Sequence, residues 1–113
     1  MKQLEAFEDL QELMTAERAI LFKHSTRCEL SFSARLHIER FAENFPAAQV
    51  FVVDVIRHRG VSDEAEDRLQ VRHESPQAIL VESGQATRQA SHRAVSLETL
   101  SEWWASPSAD EGP

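Results

Sequence analysis

Two apolar runs on either side of a helical pattern constrain this chain more than any other feature. Ala19-Ile20-Leu21-Phe22 is short and continuous, as expected of a strand covered on both faces. Val50-Phe51-Val52-Val53-Asp54-Val55 is longer and rich in β-branched residues, which suit a pleated strand. Between them, from about Arg27, the residues Leu30, Ala34, Ile38, Phe41 and Phe45 recur every three or four positions, and Pro46 follows the last of them. Strand, helix and strand in that order make a βαβ unit, with parallel strands and a right-handed crossover.

The flanking segments fit around this unit. Leu4, Phe7, Leu10 and Met14 keep helical spacing among acidic residues and predict an N-terminal amphipathic helix. Beyond the second strand Gly60 breaks the chain, and Ser62 is expected to cap a short helix. Asp63, Glu64, Glu66 and Asp67 then fall in its first turns, where the helix dipole favours negative charge. Gln77–Glu82 and Ala86–Ala90 read as strands joined by a tight Ser83-Gly84 turn, an antiparallel hairpin. Ser96 heads a last helix with Leu97, Leu100, Trp103 and Trp104 on its apolar face, and only one of the two tryptophans can face inward. The order is α-βαβ-α-ββα, an α/β architecture with a four-stranded mixed sheet flanked by helices. It is also the order of the thioredoxin fold with one added N-terminal helix. Residues 1–104 are expected to form that single domain. Residues 105–113 hold Ser, Pro, Gly, Asp and Glu with nothing to bury, and are expected to be a disordered tail.

Charge removes several functional classes. The net charge is −7 and the basic residues are scattered, the densest group being Arg57-His58-Arg59; a nucleic-acid partner needs a concentrated basic face. Charged residues interrupt every apolar run in the first twenty positions, so no membrane segment or export signal is expected. One cysteine, Cys28, cannot make an internal disulfide, which fits a reducing, cytoplasmic setting.

Cys28 follows the first buried strand. Thr26-Arg27-Cys28-Glu29 matches a capping box with Thr26 as N-cap and Glu29 at the third helical position, which would set Cys28 in the first turn. Unpaired N–H groups and the helix dipole favour an anion there, and the thiolate is the species that attacks a disulfide. Arg27 helps a thiolate, Lys23 would help if its chain folded over the turn, and Glu29 opposes it. At ~6 Å a like charge costs about 0.7 kcal/mol in water-like surroundings, and a helix terminus returns about 0.3–1 kcal/mol. The expectation is an accessible thiol rather than a strongly acidic one; the bland alternative is a small buried cysteine. Cys28-Glu29-Leu30-Ser31 is Cys-x-x-Ser, with serine where dithiol oxidoreductases of this fold carry a resolving cysteine. A hydroxyl cannot resolve a mixed disulfide, though Ser31 is placed to hydrogen-bond the Cys28 sulfur.

Two stretches carry a resemblance. Phe22-Lys23-His24-Ser25-Thr26-Arg27-Cys28 followed by Ser31, and Val71-Arg72-His73-Glu74-Ser75-Pro76-Gln77 followed by an apolar strand, together resemble the monothiol bacilliredoxins (YtxJ-like) over about residues 3 to 104. The resemblance implies a thioredoxin-like fold, Cys28 as nucleophile and Pro76 as the cis-proline of that fold, with the Ser75 backbone offering strand-like hydrogen bonds to a substrate. It also implies that bacillithiol or a related small thiol is the co-substrate, that no cofactor is tightly bound, and that the partners are S-thiolated cytoplasmic proteins. In that fold His24 and His73 lie near Cys28, as substrate contacts or as plain polar loop residues. The family usually has proline after its cysteine, where this chain has Glu29.

Three other readings compete with this one. A redox-inactive binding module would use the groove between Cys28 and Pro76 to hold a peptide. An iron–sulfur carrier of the monothiol glutaredoxin kind would need Cys-Gly-Phe-Ser, which is absent. Zinc shared by His24 and Cys28 lacks a second ligand pair.

Overall fold

A computed structural model describes residues 1–105. Its elements are β1 (Lys2–Gln3), α1 (Asp9–Thr15), β2 (Arg18–His24), α2 (Glu29–Asn44), β3 (Gln49–Asp54), α3 (Arg59–Leu69), β4 (Gln77–Glu82), β5 (Gln85–Ser91), a 3₁₀ turn over His92–Ala94, and α4 (Leu97–Ala105). The expected tail lies outside the described residues except for Ala105, which closes α4.

The sheet has five strands in the order β1-β3-β2-β4-β5, not the four expected. The additional strand is β1, which pairs parallel to β3 through Lys2 opposite Phe51 and Gln3 opposite Val52. Two exposed polar residues carry no alternation, so no strand was legible there. Consequently the N-terminal helix starts late, at Asp9, whose carboxylate accepts the N–H groups of Glu5 and Ala6 at 2.9 and 3.0 Å. Leu10 and Leu13 face inward, whereas Phe7, expected on the apolar face, is 55% exposed.

β2 is central. It runs parallel to β3, with Leu21 opposite Phe51, and antiparallel to β4, with Leu21 opposite Ile79. Alternation along each strand divides the core into two layers. Ala19, Leu21, Phe51, Val53, Ile79 and Val81 face α1 and α3, meeting Leu10, Leu13, Val61, Ala65 and Leu69. Ile20, Phe22, Val50, Val52, Ala78 and Leu80 face α2 and α4, meeting Ala34, Ile38, Phe41, Leu100 and Trp103. The continuous apolar reading of both runs follows from this two-sided burial. Trp103 is the inward tryptophan; Trp104 lies at the edge, edge-on to Phe41 and under the Arg18 guanidinium at 4.2 Å.

The hairpin turn is tight: Ser83 (φ 52°) and Gly84 (φ 81°) both take the left-handed conformation that such a turn demands. Ser96 caps α4 as expected, its Oγ accepting the Thr99 N–H at 3.2 Å. Ser62 does not cap α3. The helix begins three residues earlier, Gly60 lies inside it, and Ser62 is buried against the sheet. The acidic residues therefore fall in the middle of α3 rather than in its first turn.

Candidate functional site

The candidate nucleophile and most of its expected neighbours gather where β2 ends and α2 begins. Ser25 to Cys28 is a turn, and Ser25 is its hub. The Ser25 carbonyl accepts the Cys28 N–H at 3.3 Å, its Oγ accepts the Arg27 N–H at 3.3 Å, and its N–H donates to Ser31 Oγ at 2.9 Å. All three polar groups of one small side chain and its backbone are thus committed to shaping the turn. Ser25 was not singled out from the sequence; the available signal was a serine opening a Ser-Thr-Arg turn, where a hydroxyl commonly bonds the N–H two residues on.

That turn replaces the expected capping box. The N-cap of α2 is Cys28 itself, with extended φ/ψ of −123°/120° and no side-chain cap bond; Thr26 and Arg27 are exposed at the centre of the turn, and Glu29 opens the helix. The Cys28 carbonyl starts the helix by accepting the Ser31 N–H at 3.0 Å. Ser25, at the end of β2, takes the Arg27 and Cys28 N–H groups, so the turn closes on Ser25 and the helix starts two residues later than a Thr26 cap would set it. Cys28 is a free thiol and is partly exposed.

Ser31 is fully buried, and its hydroxyl is occupied: Oγ takes the Ser25 N–H and lies 3.0 Å from His24 Nδ1. It bonds the turn and the histidine rather than the Cys28 sulfur. His24 is 3% exposed, wedged between Phe22 and the edge-on ring of Phe32 at 5.4 Å. Burial holds its pKa below the ordinary 6.5; Arg35 acts in the same direction, and Asp54 opposes it.

Strand alternation sends Lys23 to the other face. It lies on the α3 side with 1% exposure, not over the turn, and no carboxylate forms an ion pair with it among the described residues. Burial lowers its pKa to about 8, against the opposing pull of Glu66, Asp63 and Glu74. His73, reached from the loop before β4, has its N–H on Glu66 Oε2 at 2.9 Å. Its pKa is lowered by partial desolvation of the ring and then by the Lys23 cation.

The β4 register sets Gln77 opposite Lys23, so the Ser75–Pro76 step leaves the sheet at the same end as the Cys28 turn. That peptide is cis, Pro76 is buried, and the Ser75 Oγ is buried without a partner among the described residues. The sequence-derived residues therefore fall into two groups. His24, Thr26, Arg27, Cys28 and Ser31 share the β2–α2 corner, whereas Lys23 and His73 face α3. A hollow of about 440 Å³ lined by Asp63, Glu66, Asp67, Gln70, Val71 and Arg72 borders the second group and shares no residue with the first. Among the described residues no group of three or more His, Cys, Asp or Glu is placed to hold a metal, and no helix is long and apolar enough to cross a membrane.

A mixed sheet between two helical layers, with one partly exposed cysteine at the N-cap of the helix that follows the central strand, defines a one-cysteine protein of the thioredoxin fold. Solved structures bear out the fold. A protein provisionally described as an oxidoreductase with a thioredoxin fold superposes with a TM-score of 0.82 at 22% identity, over 89% of this chain and 90% of that one. Oxidised thioredoxin from Plasmodium falciparum gives 0.75 at 14% identity, over 94% and 99%. Thioredoxin from Trypanosoma brucei brucei gives 0.75 at 13% identity, over 92% and 90%. The model of the monothiol bacilliredoxin BrxC family matches residues 1–100, and the chain belongs to that family. Family and fold together support a thiol–disulfide redox function.

Proposed function

We propose that this protein exchanges disulfides through Cys28 alone, acting on mixed disulfides between bacillithiol and the thiols of cytoplasmic proteins. The observation that carries this reading is a partly exposed sole cysteine at a helix N-cap, with the resolving position filled by a serine whose hydroxyl is already bonded elsewhere. The Cys28 thiolate attacks the bacillithiol sulfur of the mixed disulfide. A Cys28–bacillithiol disulfide forms, the original S–S bond breaks, and the client leaves as a thiolate that takes a proton from water. A second, free small-thiol thiolate then attacks the adduct, leaving a symmetric small-molecule disulfide and restoring Cys28. Ser31 takes part in neither step. Arg27 and Thr26 line the exposed rim of the turn. The Ser75 backbone beside Pro76 is the docking edge for the client, and His24 supports the turn from the α2 side, whereas Lys23 and His73, on the α3 side, take no direct part.

The test is a bacillithiolated client protein mixed with this protein and followed by intact-mass spectrometry. One equivalent of bacillithiol should appear on Cys28, and turnover should begin only when free thiol is added. Cys28→Ser should do neither. If Cys28→Ser clears the client as fast as the parent, the exchange reading fails and a redox-inactive binding module replaces it. If only other small-thiol adducts are transferred, exchange stands and bacillithiol is the wrong co-substrate.

A further inference from the structure

We propose that Ser31 is a positioning residue for Cys28: its hydroxyl clamps the β2–α2 turn by accepting the Ser25 N–H and fixes His24 as the neutral tautomer with its proton on Nε2. The position that carries a resolving cysteine in dithiol members of the fold thus has an occupation of its own here.

The argument is a count of donors and acceptors. Ser31 Oγ has two lone pairs and one proton. One lone pair takes the Ser25 N–H at 2.9 Å. The hydroxyl is completely buried, so its proton needs an acceptor, and among the described residues the one within reach is His24 Nδ1 at 3.0 Å. A nitrogen that accepts carries no proton, so in the neutral ring the proton sits on Nε2. The neutral form fits the surroundings, since the ring is buried between two phenylalanines. The charges that face it are Arg35 and Glu39 from α2 and Asp54 from β3.

The clamp reaches Cys28 through Ser25. Ser25 receives the Cys28 N–H on its carbonyl, and Ser31 holds the Ser25 N–H from the other side, six residues along the chain. Removing the Ser31 hydroxyl frees the N–H that pins the turn, so the direction in which Cys28 leaves the helix is no longer set. Disulfide exchange needs the attacking sulfur in line with the S–S bond, and small misplacements of a reacting group cost large factors in rate.

The experiment has a spectroscopic half and a kinetic half. Long-range ¹⁵N–¹H correlation of the His24 ring should show Nε2 protonated in the parent, and Ser31→Ala should lose that pure tautomer pattern. In parallel, attack of Cys28 on an aryl disulfide that releases a coloured thiolate should slow about tenfold in Ser31→Ala. Ser31→Thr, which keeps the hydroxyl, should recover both signals. The parent spectrum needs no variant, so a proton found on Nδ1 overturns the proposal even if Ser31→Ala does not fold. An unmoved tautomer in Ser31→Ala, or a moved tautomer with an unmoved rate, overturns it as well. The kinetic half rests on the exchange chemistry proposed above but not on bacillithiol. The expected tautomer and rate pattern beside a failed bacillithiol assay supports the clamp and refutes the substrate.

Discussion

Replacing Lys23 with methionine should make the protein more stable at neutral pH, and the gain should vanish in alkali. Lys23 is 1% exposed, and burial lowers its pKa from 10.5 to about 8 despite Glu66, Asp63 and Glu74 nearby. At about 1.36 kcal/mol per pH unit, that gap means the charged form costs the folded state about 3 kcal/mol near pH 7. The sign follows from proton counting. Between pH 8 and 10.5 the unfolded chain still holds a proton that the folded chain has released, so stability rises with pH across this window and is flat on either side. The composition suits the measurement: there is no tyrosine, and Lys2 is the one other lysine. Lys2 titrates with the opposite sign, because its hydrogen bond and ion pair with Glu12 raise its pKa, and stability from that pair is lost as pH rises through it. Cys28→Ser in both proteins removes the thiol from the comparison. Urea unfolding at pH 7 should favour Lys23→Met by about 3 kcal/mol, and by pH 10.5 most of that difference should be gone, with equal denaturant slopes. A difference that stays the same at both pH values, or a parent as stable as the variant at pH 7, would refute the claim that a desolvated charge is carried inside the α3 layer.

Three further outcomes are expected. His24 has its pKa lowered below 6.5 chiefly by burial, so its contribution to stability is complete above 6.5 and is lost as pH falls through the folded value; urea midpoints between pH 7 and pH 5 should fall less in His24→Asn than in the parent. Ser96→Ala removes the acceptor of the Thr99 N–H at the head of α4 and should cost about 0.5–2 kcal/mol in chemical unfolding, with no change in the reactivity of Cys28. Gly84→Ala places a Cβ 3.0 Å from the Met14 carbonyl oxygen at a φ of 81°, and should lower the thermal midpoint by several degrees, roughly 1–2 kcal/mol.

The sequence made the central layer legible because β2, β3 and β4 are buried on both faces and read as unbroken apolar runs, and because α2 keeps its period from Leu30 to Phe45. What it hid was local. β1 is two exposed residues with no pattern, and its pairing depends on a partner strand far along the chain. The capping box at Thr26 meets a competitor: Ser25, at the end of β2, accepts the Arg27 and Cys28 N–H groups, and Cys28 becomes the N-cap in its place. Ser62 lost its cap for a similar reason, since α3 packs its Val61–Ser62 edge onto the sheet and starts at Arg59. Of the candidate site, Cys28 and its neighbours along the chain were readable from their place after a buried strand. The split that sends Lys23 toward α3 and His24 toward Ser31 followed from strand alternation, but the motif reading grouped both around the thiol. Ser25 escaped because its importance lies in how many of its bonds converge, which no spacing rule encodes.

Lys2 and Gln3 find their partners only far along the chain. Their places in the sheet are beside Phe51 and Val52, so the rim strand has nothing to pair with until β3 is in place. Ser25 and Ser31 are six residues apart, and the bond between them can close as soon as one turn of α2 is made. Loop closure over six residues is far less demanding than over forty-nine. The corner that presents the thiol is therefore shaped by nearest neighbours along the chain, while the strand that borders the sheet depends on nearly the whole βαβ unit already standing. Breaking the β1–β3 pairing would therefore leave a ragged rim beside a Cys28 corner whose own hydrogen bonds are untouched.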